Sequence, residues 1–160
     1  MSLLLLGGSP GGVVNLVTDD DSHFDGGTIG NWSDRGANTL TASTTEARSP
    51  AYSGKIVYQD EVAMMRMATT VTAAGIYLVS AYVWIPADWD GGALKIELVS
   101  FTGSSKGAQV TTTDTGAWTL VSTYHTLVAG DLTGAIDVIT ASAPTAGKFI
   151  YVDDVSLVAQ

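Results

Sequence analysis

The sequence contains no cysteine among its 160 residues, which excludes disulfides and thiolate metal sites. Basic residues are also scarce, because seven Lys and Arg stand against sixteen Asp and Glu, for a net charge of −9. A clustered basic surface for nucleic acid is therefore absent, and an acidic surface repels anionic membranes. No apolar run approaches the roughly 20 residues of a membrane-spanning helix. We predict neither nucleic acid nor membrane as a partner.

Catalytic motifs are scarce as well. The two histidines, His23 and His125, lie outside any His-Glu-x-x-His pattern, which leaves zinc catalysis without support. A glycosidase would need two carboxylates facing each other across a cleft. The available glutamates are interpreted as surface residues of Thr- and Val-rich strands; they are Glu46, Glu61 and Glu97. We predict that the protein is not an enzyme, and a small glycosidase or lyase is the least favoured alternative.

The residues that are present favour β-structure. A hydrophobic content of 46% with only 14% charged residues excludes disorder, and the 18 glycines suit tight turns. Alternation is clearest over residues 76–85, where one face is predicted to be core: Tyr77, Val79, Ala81, Val83 and Ile85. Eight to ten such strands predict an all-β antiparallel sandwich or barrel over residues 15–160, preceded by a flexible arm over residues 1–14.

Two groups of neighbouring aspartates are candidate metal ligands. Asp153 and Asp154 interrupt the apolar last strand, and alternation predicts that one of them aims inward. A buried charge is costly unless it is paired or bound to a metal, so a cation is predicted to hold this chain end; the alternative is a turn capped by an aspartate. The run Asp19–Asp21 is predicted to be a solvated loop, with a calcium site as the alternative.

The chain opens with four leucines, followed by a stretch rich in Gly and Pro. A secretory signal would need a basic start and a longer apolar core, so we predict no conventional export. Exposed leucines reduce solubility unless they are covered, which predicts that this segment docks on a neighbouring subunit. The alternative is a disordered tail. The predicted contact residues are Leu3, Leu4, Leu5 and Leu6.

Several segments, in order, resemble the jelly-roll carbohydrate-binding modules of families four, nine and twenty-two. The matching segments are residues 15–17, Phe24-Asp25-Gly26-Gly27 with Trp32, residues 53–57, residues 75–83, residues 118–121 and residues 149–157. The resemblance implies a calcium ion (Ca²⁺) that joins the first and last strands. It would be held by Asp25, by Asp154 and by backbone oxygens around Lys55. Asp25 stands where the family usually has a longer glutamate.

The same resemblance implies that aromatic rings stack on sugar rings. The candidates are Tyr82, Trp84, Trp89 and Tyr124. Tyr82 and Trp84 alternate along one strand, so they are predicted to share a face. The alternative is that these rings pack under a loop or on a neighbouring subunit.

Two functions follow as expectations. The first is a non-catalytic virion structural protein, a phage capsid decoration or tail component, because the leucine-rich opening resembles that of phage structural proteins. Its arm would contact other virion proteins or its own copies in an oligomer, a trimer by analogy. It would be assembled in the host cytoplasm and displayed on the virion surface. The alternative is an extracellular carbohydrate-binding module of a secreted glycan-active protein.

Overall fold

The computed structural model describes residues 14–34, 36–59, 64–99, 111–130 and 132–160. Within these ranges the chain forms a short helix α1, Asp19–His23, a 3₁₀ turn, Asp25–Gly27, and ten strands. In chain order the strands β1 to β10 are Trp32–Asp34, Thr39–Ser43, Ser53–Val57, Met64–Thr70, Gly75–Trp84, Leu94–Val99, Thr111–Thr112, Trp118–Leu127, Thr133–Thr140 and Phe149–Ala159. Neither helical segment of the described ranges is long and apolar enough to cross a membrane.

The strands form two antiparallel sheets of five strands each. The front sheet has the order β2-β3-β10-β5-β8, and the back sheet has the order β1-β4-β9-β6-β7. Their inner faces enclose one core, in which Ile56, Val79, Ile96, Ile136 and Leu157 are fully buried. The architecture is the predicted jelly-roll sandwich, in which alternate residues of each strand face the other sheet.

The alternation in β5 correctly predicts the core face. Tyr77, Val79, Ala81 and Val83 are buried, whereas Ile76 on the opposite face is half exposed. The strands β1 and β7 were not predicted, because they contain only three and two residues. Such short strands give no readable alternation, and pairing with longer neighbours defines them.

Residues 19–23 depart from the predicted solvated loop, because they form helix α1. Thr18 caps the helix by accepting the Asp21 N–H, and acidic residues in the first turn suit the helix dipole. Asp21 is 3% exposed, and its carboxylate accepts bonds from Asn31 N–H and Asn31 Nδ2 at 2.6 and 2.9 Å and from the Thr18 hydroxyl. Burial raises the pKa of Asp21, but these bonds outweigh it and lower the pKa overall.

The first and last described segments lie side by side, as the resemblance implied for the first and last strands. Asn15 bridges Val158, and the Asn15 side chain accepts the N–H of Leu157 at 2.9 Å. On the neighbouring strand β3, the ring of Phe24 lies against Gly54, where a Cβ would sit 2.5 Å from the ring. The leucines proposed as contacts, Leu3–Leu6, and nearly all of the proposed arm lie outside the described residues.

Candidate functional site

A β-bulge interrupts β10 at the aspartate pair. Asp153 pairs with Tyr82 and Ser156 pairs with Ser80, so β10 gains one residue relative to β5. Asp154 has φ 47°, a left-handed conformation that is uncommon outside glycine. Asp153 lies opposite Tyr82, on the outer face of the front sheet, whereas alternation predicted that one of the two aspartates aims inward without indicating which. The bulge is therefore what brings both carboxylates to one junction.

Asp153 is fully buried by the loop between β2 and β3. Its carboxylate accepts the backbone N–H of Arg48 at 2.8 Å and the N–H and hydroxyl of Ser49 at 3.0 and 3.1 Å. It also accepts the N–H of Asp154 at 2.8 Å. Burial raises the pKa of Asp153 despite these bonds. The carboxylate is thus held mainly by backbone donors.

Asp154 contacts two side chains that can carry positive charge. Its Oδ1 lies 2.8 Å from His23 Nδ1, at the end of α1, and its Oδ2 accepts a hydrogen bond from Arg48 Nη1. The Arg48 guanidinium also lies 3.5 Å from the centroid of the Tyr82 ring. This junction therefore joins α1, the β2–β3 loop, β5 and β10 through one ion-paired cluster.

The residues of this junction do not fit the calcium ion that the resemblance implies. Calcium binds six to eight oxygens. Among the described residues, the group with ligand atoms within 4.8 Å of one another is His23, Asp153 and Asp154, and it includes an imidazole nitrogen. Asp25 begins the 3₁₀ turn and is not in that group, while Lys55, whose neighbouring backbone oxygens the resemblance implies as ligands, is paired with Thr41 and Tyr151 inside the front sheet. Calcium stays a prediction without support from this geometry.

The outer face of the front sheet, here called the aromatic face, carries six aromatic residues: Tyr82, Trp84, Trp118, Tyr124, Phe149 and Tyr151. Trp118, Trp84 and Tyr151 are directly paired across β8, β5 and β10, and the row continues to Lys55 in β3. The Trp84 and Tyr151 rings meet edge to face at 5.6 Å, and Phe149 meets Tyr151 at 5.5 Å. Such contacts fix ring orientations.

Three of the four predicted sugar-contacting residues lie on this face. Tyr82 and Trp84 are half-buried, and Tyr124 is 54% exposed farther along β8. Trp89 is separate: it lies in the β5–β6 connection, packs against the core and donates its indole N–H to the Gly92 carbonyl at 2.8 Å. The prediction missed Trp118, whose place beside Trp84 depends on strand register.

The outer face of the back sheet, here called the charged face, carries Ser33, Arg66, Asp137, Glu97 and Lys95. The first four pair directly across β1, β4, β9 and β6. Arg66 Nε donates to Asp137 Oδ1 at 2.5 Å, and a second bond joins the same side chains. These bonds raise the pKa of Arg66. Glu97 is 7% exposed and Asp137 2%, so the interpretation of Glu97 as a surface residue was wrong.

Solved structures with the same architecture are carbohydrate-binding modules. The xylan-binding CBM22-1 domain of Paenibacillus barcinonensis Xyn10C aligns with a TM-score of 0.70 and 17% identity, over 86% of this chain and 91% of that one. A family 16 carbohydrate-binding module aligns with a TM-score of 0.65 and 17% identity, over 89% of this chain and 99% of that one. TmCBM61, solved in complex with β-1,4-galactotriose, aligns with a TM-score of 0.62 and 16% identity, over 92% of this chain and 100% of that one. At these identities the likeness shows the fold.

No protein-family model matches the sequence, and no curated protein matches it. The structural neighbours confirm the jelly-roll sandwich fold that the resemblance implied. They give no support to the virion expectation.

Proposed function

We propose that the protein is a non-catalytic glycan-binding module that stacks sugar rings on its aromatic face. The observation that carries this proposal is the row Trp118–Trp84–Tyr151, which crosses three neighbouring strands. Tyr151 is only 1% exposed, so the accessible stacking surface of the row is formed by Trp118 and Trp84 on adjacent strands, which are spaced by about 4.8 Å. A ligand site needs an apolar platform with a few polar groups, and Lys55 continues the row on the next strand.

Accessibility favours the aromatic face over the charged face. Trp84 and Trp118 are only partly buried, and Tyr124 and Leu120 on the same face are 54% and 49% exposed. In contrast, Asp137 and Glu97 on the charged face are nearly inaccessible, and Asp137 is already held by Arg66. A sugar hydroxyl would have to displace an existing ion pair there, which costs desolvation without a new gain.

A binding role without turnover is consistent with the described residues. His125 is buried, and its Nε2 accepts the Leu98 N–H at 3.2 Å. His23 is bonded to Asp154 in the junction. Residues 103–107 read Gly-Ser-Ser-Lys-Gly, a formal match to Gly-x-Ser-x-Gly, but they lie outside the described residues and no helix follows them among the later elements. That motif requires a strand-to-helix turn.

The virion expectation, its capsid or tail partners and its place on the virion surface depend on the sequence alone. The leucines that carry it lie outside the described residues. An extracellular glycan-binding module, the alternative expectation, accounts better for the architecture, so it replaces the virion role as the main proposal.

Binding of soluble xylan and β-1,4-galactan, measured by calorimetry and affinity electrophoresis, tests the proposal. Trp84→Ala is expected to weaken binding at least tenfold, which corresponds to about 1.4 kcal/mol. Trp89→Ala is the matched control, since it also removes a partly buried indole but lies off the aromatic face; its affinity should stay within about twofold. A thermal melt of each variant verifies folding. Absence of binding across a broad polysaccharide panel would contradict the proposal.

A further inference from the structure

At the junction of α1, the β2–β3 loop, β5 and β10, the charges of two adjacent aspartates are compensated by side chains that the sequence did not identify. Asp153 is fully buried and Asp154 has a side chain only 14% exposed. Two adjacent carboxylates in such a place repel each other and require compensation. The resemblance supplies a calcium ion for this purpose, yet the donors around the pair come from the chain itself.

Arg48 and its neighbour provide donors to both carboxylates. The Arg48 and Ser49 backbone N–H groups bond to Asp153 at 2.8 and 3.0 Å, while the Arg48 guanidinium bonds to Asp154. The second oxygen of Asp154 is taken by His23 at 2.8 Å. An incoming divalent ion would have to share the Asp154 oxygens with the imidazole and with the guanidinium, whose positive charge would repel it.

The position of Arg48 is itself constrained. Its guanidinium stacks on Tyr82 at 3.5 Å from the ring centroid, and Tyr82 is the cross-strand partner of Asp153. A cation over an aromatic face contributes about 0.5–2 kcal/mol, depending on its desolvation. The loop between β2 and β3 is thus held by a bond to Asp154, a ring contact and two backbone bonds to Asp153.

We propose that the Arg48 guanidinium is the cation that neutralises the Asp153–Asp154 pair, in the role that the resemblance gives to a calcium ion, so the fold is independent of divalent metals. The resemblance implies a calcium ion at Asp154, whereas the structure has Arg48 and His23 bonded to that carboxylate. Removal of the guanidinium should leave the Asp153–Asp154 pair without its permanent positive charge, with His23 as the remaining partner of Asp154, and open to a divalent ion.

Thermal unfolding of the full chain tests the proposal, with excess EDTA, CaCl₂ or ZnCl₂. The wild-type midpoint should be the same in all three, because a ligand that binds only the native state would raise it. Arg48→Gln should lower the midpoint by about 5 °C, and calcium should restore part of the loss. Arg48→Lys should keep most of the wild-type midpoint, since the charge is retained.

Lys148→Gln is the control for a general loss of positive charge. It removes the partner of Asp88, whose side chain is 73% exposed, and should shift the midpoint by less than about 2 °C without a calcium response. A wild-type midpoint that falls in EDTA or rises with either metal would overturn the proposal. So would an Arg48→Gln protein that is as stable as wild type, or one that is destabilised but indifferent to calcium. If Arg48→Gln does not fold, the proposal is tested by the wild-type and Arg48→Lys melts, in which neither EDTA nor added metal should shift the wild-type midpoint and Arg48→Lys should stay close to it.

Discussion

The two outer faces of the sandwich are each crossed by a row of directly paired residues, but the rows differ in chemistry. On the front sheet the row runs Trp118–Trp84–Tyr151–Lys55–Thr41, and on the back sheet it runs Ser33–Arg66–Asp137–Glu97. The aromatic row is accessible at the Trp118 and Trp84 end, whereas the carboxylates of the charged row are almost fully buried.

Because of this difference, the aromatic face can bind a ligand, whereas the polar groups of the charged face already bond to one another. Within the described ranges, every buried side-chain nitrogen or oxygen has a hydrogen-bond partner. The charged face therefore contributes to stability through partners that depend on one another. The aromatic rings have stacking surface that an apolar sugar face can cover without breaking an existing ion pair.

The largest expected effect is on the charged face. Arg66→Ala leaves Asp137 buried without its guanidinium and should lower the free energy of unfolding by about 3–5 kcal/mol, measured by urea denaturation. Xylan affinity of the folded fraction should be unchanged. The double variant Arg66→Met, Asp137→Leu should recover most of the stability, because it removes both charges. A near-wild-type Arg66→Ala protein would show that this ion pair is not structural.

An intermediate effect is expected at Asp21, which holds α1 beside the first strand of the back sheet. Its folded pKa lies below the ordinary value of 3.8, so its stabilisation is present above that value and is lost as the pH falls through the folded pKa. Asp21→Asn should cost about 1.5–3 kcal/mol at neutral pH and should flatten the loss of stability in acid. Denaturation curves from pH 2 to pH 7 measure the loss of stability at neutral pH and its dependence on acid. An equal acid dependence in wild type and variant would contradict the assignment.

The smallest effect discriminates positions within the aromatic face. Trp118→Ala should weaken xylan binding about tenfold, because Trp118 extends the row beside Trp84. Tyr124→Ala lies farther along β8 and should change affinity less than about threefold and stability by no more than about 0.5 kcal/mol. Calorimetry with the same xylan preparation measures both affinities. A larger loss at Tyr124 than at Trp118 would move the binding site along β8.

Much of the front sheet was predictable from local pattern. The alternation from Tyr77 to Val83 identified the core face of β5, and it correctly placed Tyr82 and Trp84 together on the opposite face. Trp118 was not recognised as their neighbour, because its pairing with Trp84 depends on the register between β5 and β8. Register is a long-range property that one strand does not encode.

The junction was predictable in position but not in chemistry. The sequence marked Asp153 and Asp154 as a pair in need of a cation, and the resemblance correctly implied that the chain ends meet. The sequence did not indicate the bulge, and it gave no reason to pair Arg48 with a residue more than a hundred positions away. The same limit applies to Glu97, whose polar identity suggested a surface residue although the structure buries it beside Lys95.

By itself the sequence determined the all-strand body and the core face of its clearest alternating strand, because side-chain alternation and turn residues act over short distances. Only the tertiary structure decided which aromatic rings form a row, which carboxylates are buried and which side chain neutralises the aspartate pair. These features depend on register, on a bulge and on the path of the β2–β3 loop, which are set by pairings between residues distant in sequence.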